Sequence, residues 1–235
     1  MDVATAQRLI ALNNAFYAKA SASFGQTRHN RWLGWDALLD CVPCPQTVAD
    51  LACGNKRFEA YLMQRFPQQA FEFWTVDNAP FEDWIAEGAR VHHVQADLLS
   101  DVPWGAPPCD LAVSFGFLHH VPGQDARVAF MERLLDCVKP GGHAAVSLWR
   151  FLDDASLAAR VVPPSQVGFD AAALDAGDAF LGWDNQPGLY RYCHSFSDED
   201  VDALVQAVAA RATAVARYRS DGRSGALNEY VVFRA

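Results

Sequence analysis

Residues 47–58 read Thr-Val-Ala-Asp-Leu-Ala-Cys-Gly-Asn-Lys-Arg-Phe, and they constrain the fold more than any other stretch. A β-branched apolar run ends in an acid, Asp50. The small-residue turn Ala52-Cys53-Gly54-Asn55 follows at once, and the pattern then becomes helical, with Phe58, Tyr61, Leu62 and Phe66 on one face. A strand that turns sharply into a helix is how open α/β sheets receive nucleotide-like ligands, because the crevice lies at the carboxyl ends of the strands. The turn must be small so that backbone can approach the ligand. Dinucleotide sites want G-x-G-x-x-G before a helix N-terminus that faces a pyrophosphate. Only one glycine of that pattern is present here, and the strand ends in a carboxylate, which repels phosphate and suits a cationic amino-acid moiety.

The downstream spacing repeats the theme. Phe71–Asp77 is a second apolar run ending in an acid, and in a doubly wound fold an acid there takes ribose hydroxyls. Val91–Leu98 is a third run, carrying Asp97. Cys109–Val121 is a fourth strand running into a loop that holds His119 and His120. Leu134–Ser147 reads as a helix, a Pro-Gly-Gly turn and a fifth strand. Ser197 followed by three acids is a helix start, with Val201, Leu204, Val205 and Val208 behind it. Strands are expected at 212–218 and 228–233, around the turn Ser220-Asp221-Gly222-Arg223.

This five-part order resembles the core of class I S-adenosylmethionine (SAM)-dependent methyltransferases. Residues 50–56 are similar to motif I, usually D/E-x-G-x-G-x-G, with Ala52 and Lys56 where glycines are usual. The resemblance implies a Rossmann-like α/β fold: a seven-stranded, mostly parallel sheet with an antiparallel closing strand and a helical N-terminal cap. It implies one domain over 1–235, with a helical cap at 1–45 (helices near 4–20 and 30–40). A SAM-binding core at 46–150 comes next, then an acidic insert at 151–197 with a short helical pattern at 154–161, and a closing helix and strand pair at 198–235. SAM is the implied cofactor, with contacts from Asp50, Ala52, Cys53, Gly54, Asp77, Asn78, Asp97, Leu98, Ser114 and Phe115; Asp97 would accept from the adenine amino group.

Two outlying segments narrow the resemblance. Phe24–Trp32, preceded by a helix containing Tyr17, is similar to the F-x-x-T-R-x-x-x-W entry of the tRNA carboxymethyluridine methyltransferases. Gly188–Phe196 is similar to their R-Y-Y-H-x-F segment, and His119-His120 and Trp149 also match. The implied reaction is O-methylation of a carboxylate on the tRNA wobble uridine. A small-molecule methyltransferase on the same scaffold and a non-catalytic SAM-fold binding module are the alternatives. A carboxylic acid is ionised at neutral pH and needs no base. It needs alignment with the methyl group and a holder, and arginine suits that role through its planar fork. Arg28 and Arg191 are the candidate holders, with Tyr17, Thr27 and His194 closing over the acceptor. A phenol or amine would instead call for a base, and His119 or His120 would serve. Trp32 and Trp35 offer stacking surface for a base.

Charge bounds the partners. The net charge of −9 argues against non-specific nucleic-acid binding. The acidity is concentrated in residues 151–203, with ten acids against two arginines, whereas residues 204–235 carry five arginines and two acids. The two ends could therefore present local positive surface. The expected partner is tRNA or a small carboxylate, with no membrane and with room for a partner subunit. No apolar run approaches a membrane span and no leader pattern opens the chain, so a cytoplasmic location is expected. Six cysteines without repeated spacing fit a reducing compartment. The lone Cys41-x-x-Cys44 reads as loop thiols, and no metal is expected.

Overall fold

The computed structural model describes residues 1–26, 30–78, 88–100, 106–183 and 186–235. The chain opens with helices α1 (Val3–Gln26) and α2 (Gly34–Cys41). Alternation then begins: β1 (Thr47–Leu51), α3 (Arg57–Arg65), β2 (Phe71–Asp77), β3 (Ala89–Gln95), β4 (Cys109–Phe115), α4 (Gln124–Asp136) and β5 (Val138–Trp149). After β5 come α5 (Ala155–Ala158), β6 (Val161–Val162), β7 (Asp178–Gly182), β8 (Tyr190–His194), α6 (Asp198–Ala207), β9 (Thr213–Ser220) and β10 (Asn228–Arg234).

Seven strands form one sheet in the order β3-β2-β1-β4-β5-β10-β9. β1 pairs in parallel with both β2 and β4, and β10 runs antiparallel between β5 and β9. The expected fold class is therefore the one observed. Both faces of the sheet are covered, which is why its central strands are continuous apolar runs rather than alternating ones. On one face Phe130, Met131, Leu134 and Leu135 of α4 and Val201 and Leu204 of α6 pack against the sheet. On the other, Trp35 and Leu38 of α2 meet Phe58, Tyr61 and Leu62 of α3. A capping box at Ser197 and Asp200 starts α6, as the sequence pattern predicts.

The insert differs from expectation. Only Ala155–Ala158 of the 154–161 pattern is α-helical, and residues 161–194 build a second, three-stranded sheet, β6-β7-β8. Its strands carry Asp, Arg, Tyr and His, which hides them from a hydrophobic pattern. Those polar groups are satisfied internally. Asp178 accepts from Tyr192 Oη (2.7 Å) and His194 Nδ1 (2.8 Å), with Arg127 of α4 at 3.6 Å. Leu9 of α1 packs with Phe169, Phe180 and Tyr192, so this small sheet seats the N-terminal cap.

In the arginine-rich C-terminal segment, Arg211, Arg217 and Arg219 are paired with acids. Buried Glu229 accepts from Arg150 Nη1 (2.7 Å) and from Arg217. Asp198 receives Arg150, Arg217 and Arg219 at 3.0–3.2 Å. Arg211 pairs with Asp136 (2.6 Å). These cations are spent tying β9 and β10 to α4, α6 and the residues after β5.

Candidate functional site

The turn after β1 is held in a conformation that costs energy. Ala52 (φ 69°), Gly54 (φ 54°) and Lys56 (φ 57°) are all left-handed, a region that disfavours residues with a Cβ. Bonds to the end of β2 hold it there: Ala52 and Cys53 donate their amides to the Val76 carbonyl (2.8 and 3.2 Å), and Gly54 donates to Asp77 Oδ2 (2.8 Å). A Cβ built on Gly54 would meet nothing within 4 Å. The turn thus faces an open crevice, bounded by Asp77 and, beyond it, exposed Asn78. Asp97 lies farther along the same edge. Its Oδ1 accepts from Leu99 N (2.9 Å) and its Oδ2 from Asn14 Nδ2 of α1 (3.0 Å). Two carboxylates and a bare turn at the carboxyl ends of β1 to β3 fit a polyhydroxylated, cationic cofactor such as SAM.

Several residues expected at the crevice sit elsewhere. Asp50 is 3% exposed and faces fully buried Glu59 of α3. Burial and the neighbouring carboxyl raise the pKa of Asp50 well above its usual value, and burial lifts Glu59 to about 7. Two acceptor-only groups this close are satisfied by a shared proton. Asp50 therefore underpins the turn rather than meeting a ligand. Ser114 is fully buried and donates to the Leu51 carbonyl (2.8 Å), bridging β4 and β1. Leu98 is 4% exposed and belongs to the main core. Phe115 packs among Trp35, Phe58 and Tyr230 at 5.0–5.9 Å between centroids. Cys53 is also buried, and desolvation raises its thiol pKa.

The buried pair gives a pH prediction. Glu59 has a folded-state pKa near 7 against an ordinary value of 4.5. Its proton stabilises the fold below the ordinary value, and that contribution is lost as pH rises through about 7. Between those limits wild-type stability should fall by on the order of 2–3 kcal/mol from this pair. Glu59→Gln should flatten that limb in urea unfolding measured from pH 4.5 to 8. An unchanged slope removes the shared proton from the account.

A second feature adjoins the crevice. A cleft of about 270 Å³ opens beyond β4 and β5, lined by Arg31, Trp32, Gly116, His119, Trp149 and Asn228 among others. Trp32 crosses Gly116 so closely that a Cβ there would lie 3.0 Å from its ring, and Gly116 itself is left-handed (φ 73°). Arg57 stands over Trp32 (5.3 Å) and donates to the Asn30 carbonyl (2.9 Å). On the opposite wall Asp221 is engaged by Gly34 N (3.1 Å), Asn228 Nδ2 (2.8 Å) and Tyr230 Oη (2.6 Å). The acid in the cleft wall is thus occupied in locking the β9–β10 turn to α2. Arg31 pairs with Asp36 (2.6 Å) and is half-exposed.

His119 lines the cleft, 5.0 Å from Trp149 and 4.0 Å from His120 between rings. Arg191 is 6% exposed, with its guanidinium 5.4–5.6 Å from the centroids of Phe16, Trp149 and Trp183. It stands behind the cleft wall, packed on the same Trp149 that faces the cleft. Tyr17 Oη lies 2.7 Å from His120 Nε2, within hydrogen-bond distance. His194 departs from its expected role: it is 1% exposed and held between Asp178 and Asp200 (3.4 Å) in the insert's own network. Thr27 and Arg28 lie outside the described residues.

Sequence reasoning missed Asn13, Asn14, Arg31 and Asn228. The first two lie on the helix face that carries Tyr17, and that spacing was the one signal available. The described residues also bring His119, His120 and Cys193 within 4.8 Å of one another through potential ligand atoms. Both His120 nitrogens are already engaged, Nδ1 at 3.0 Å from the Tyr192 carbonyl and Nε2 by Tyr17. That cluster is therefore a hydrogen-bonded one. Cys41 and Cys44 are exposed free thiols. No helix among the described residues is long and apolar enough to cross a membrane.

Comparison with known proteins agrees with this geometry. Residues 49–146 match the family described as a methyltransferase domain. The tRNA (carboxymethyluridine(34)-5-O)-methyltransferase ALKBH8 of Macaca fascicularis is 27% identical over 138 residues, covering 57% of this chain and 19% of that protein. The trans-aconitate 2-methyltransferase of Acidovorax sp. (strain JS42) is 35% identical over 118 residues, covering 48% of this chain and 42% of that protein. This chain thus spans about a fifth of the tRNA enzyme's length and under half of the other's. A SAM-dependent methyltransferase structure from Methanosarcina mazei superposes with a TM-score of 0.59 at 13% identity, over 84% of this chain and 96% of that one. The fold is the Rossmann-like methyltransferase fold, and residues 49–146 are the part of the chain that matches a methyltransferase domain.

Proposed function

We propose that this chain is a SAM-dependent methyltransferase, and that it esterifies a carboxylate on a small, planar acceptor held in the cleft beyond β4 and β5. The cleft's lining carries the reading. Two tryptophans, an arginine, an imidazole and an amide face a volume of about 270 Å³, and the carboxylate in its wall is already hydrogen-bonded. Such a lining receives a flat anion. SAM supplies an electrophilic methyl group on a positively charged sulfur. Asp77 and Asp97 would hold its ribose and adenine, and Gly54 would let its amino-acid end approach the backbone. Gly116 leaves room for the Trp32 ring that walls the cleft. Because the acceptor is already ionised, His119 is required for shape and water exclusion rather than for proton removal.

The second reading is the wobble carboxymethyluridine of tRNA, named in the relatives' descriptions. Trp32 at the cleft mouth supports it, since RNA bases splayed from a loop stack on aromatic rings. The pairing of Arg150, Arg211, Arg217 and Arg219 with acids favours the small acceptor. The test is transfer of labelled methyl from SAM to a metabolite extract and to bulk tRNA, followed by mild base. A base-labile product in the metabolite fraction, formed at a rate nearly flat from about pH 6 to 8, is expected. A labile product on tRNA shifts the assignment to the second reading. A base-stable product, or a rate rising tenfold per pH unit, overturns both.

A further inference from the structure

Arg57 carries a charge that is half-buried and, among the described residues, meets no acid within ion-pair distance. It opens α3 directly behind the left-handed turn at Ala52, Gly54 and Lys56. Its guanidinium stands over Trp32 (5.3 Å) and Trp35 (5.8 Å), and its Nη1 donates to the Asn30 carbonyl (2.9 Å). All three partners are neutral. Withdrawing a cation from water without a counter-charge is unfavourable. Arg127 and Arg150 show the ordinary solution, because Asp178 lies 3.6 Å from the first and Glu229 2.7 Å from the second.

The acids whose charge reaches Arg57 are Asp50 and Asp221, and both are committed elsewhere. Asp221 accepts from Gly34 N, Asn228 Nδ2 and Tyr230 Oη. Asp50 faces Glu59 across their shared proton. Burial lowers the pKa of Arg57, and Tyr230, Asp50 and Asp221 offset that only in part. With Nη1 on the Asn30 carbonyl, Nε and Nη2 remain, and among the described residues neither meets a protein acceptor. That pair is an edge on which a guanidinium takes a carboxylate through two parallel bonds. The edge belongs to the join between the two sites. In the chain Arg57 follows the cofactor turn; in space it stands over Trp32, which crosses Gly116 and lines the cleft.

We propose that Arg57 holds a ligand carboxylate at the join of the crevice and the cleft. Under the SAM-dependent methyltransferase reading, on which this depends, two carboxylates arrive there. One is on the amino-acid end of SAM and the other is on the acceptor, and the chemistry that recognises them is the same. Trp32, Trp35 and the Asn30 carbonyl hold the guanidinium in place before either ligand arrives, so little side-chain freedom is lost on binding.

The test compares wild type with Arg57→Met, which keeps an unbranched side chain against Trp32, and with Arg57→Lys, which keeps the charge without the fork. Calorimetry with S-adenosylhomocysteine and with its decarboxylated analogue reads the cofactor's carboxylate. Transfer of labelled methyl from saturating SAM to dilute metabolite extract, counted as base-labile product, reads the acceptor's. Arg57→Met should lose more than about tenfold in one arm, with Arg57→Lys in between. A loss for S-adenosylhomocysteine with the analogue held within about twofold assigns the carboxylate to the cofactor. Unchanged S-adenosylhomocysteine affinity, with slowed transfer that recovers in concentrated extract, assigns it to the acceptor. Equal losses for S-adenosylhomocysteine and its analogue, or no loss in either arm, overturn the proposal. If Arg57→Met does not fold, the same comparison in Arg57→Lys decides. Wild type that binds no S-adenosylhomocysteine removes the methyltransferase reading and this proposal together; wild-type binding that is indifferent to Arg57, with transfer also unchanged, removes this proposal alone.

Discussion

Gly54→Val should abolish SAM binding while leaving the protein folded. A Cβ at this position meets nothing within 4 Å, so a side chain can be added without displacing protein atoms. It would project into the crevice where the cofactor's backbone contact belongs. The left-handed φ of 54° costs a β-branched residue about 1–3 kcal/mol. The flanking turn shows that this is bearable, since Ala52 and Lys56 already adopt the same region. Calorimetry should show affinity lowered more than about 100-fold, a loss of over 2.7 kcal/mol. Asp77→Ala should act in the same direction through a different contact, because it removes both a charged acceptor for the cofactor and the partner of Gly54 N–H. Its cost should be on the order of 2–4 kcal/mol. Wild-type affinity in Gly54→Val would mean that the turn does not touch SAM.

Gly34→Ala should be among the most damaging single-methyl additions in the chain. The new carbon would fall 2.2 and 2.4 Å from two ring carbons of Tyr230, far inside van der Waals contact. That ring has nowhere to go: it is fully buried, stacked on Tyr218 (5.1 Å) and bonded to Asp221 (2.6 Å). Tyr218 in turn donates to the Gly34 carbonyl (2.7 Å). Relief requires α2 to lift from the closing strands, which also opens the cleft wall at Trp32. We expect about 3 kcal/mol of destabilisation, at the upper end for overpacking, and a Tm lower by about 6–12 °C. Calorimetric melting checks this. A Tm within 2 °C of wild type would show that α2 and Tyr230 are not locked together as described. Tyr230→Phe in the Gly34→Ala background should recover little, because the clash is with the ring.

The crevice was legible in the sequence because it is written in strand ends. Each of Asp50, Asp77 and Asp97 closes an apolar run, and that order is a property of the chain alone. What a carboxylate does after its strand ends is not. Asp50 and Asp77 follow identical patterns, yet Asp50 turns inward to Glu59, nine residues later on the helix packed above it. The pattern on α3 marks its apolar face but does not reveal that an acid shares it. His194 was misplaced for a related reason. Its neighbours Asp178 and Asp200 come from three-dimensional pairing of β7, β8 and α6, so a motif match at 188–196 carried no information about direction. The insert's strands were missed because buried polar residues satisfied by one another break the alternation by which strands are recognised. The C-terminal arginines looked available because their acid partners lie up to 75 residues away in sequence, as with Arg211 and Asp136. The cleft was only half legible: Trp32 and Trp149 stood out, but Asn228 and the Asp221 turn reach it from the far end of the chain.

That last point bears on how the molecule comes to exist. β10 follows every other strand in the sequence yet lies inside the sheet, with β5 on one side and β9 on the other. Until residues 228–234 have been made, β5 is an edge. Its inner stretch is among the most apolar in the protein, and Ala144, Ala145, Val146 and Leu148 all end almost fully buried. A nascent chain would therefore carry an assembled cofactor half beside an open, sticky ladder, the kind of surface that recruits strands from other molecules. The cleft beyond β4 and β5 belongs wholly to the late phase, because residues 31–33 acquire their opposite wall only when residues 221–228 arrive.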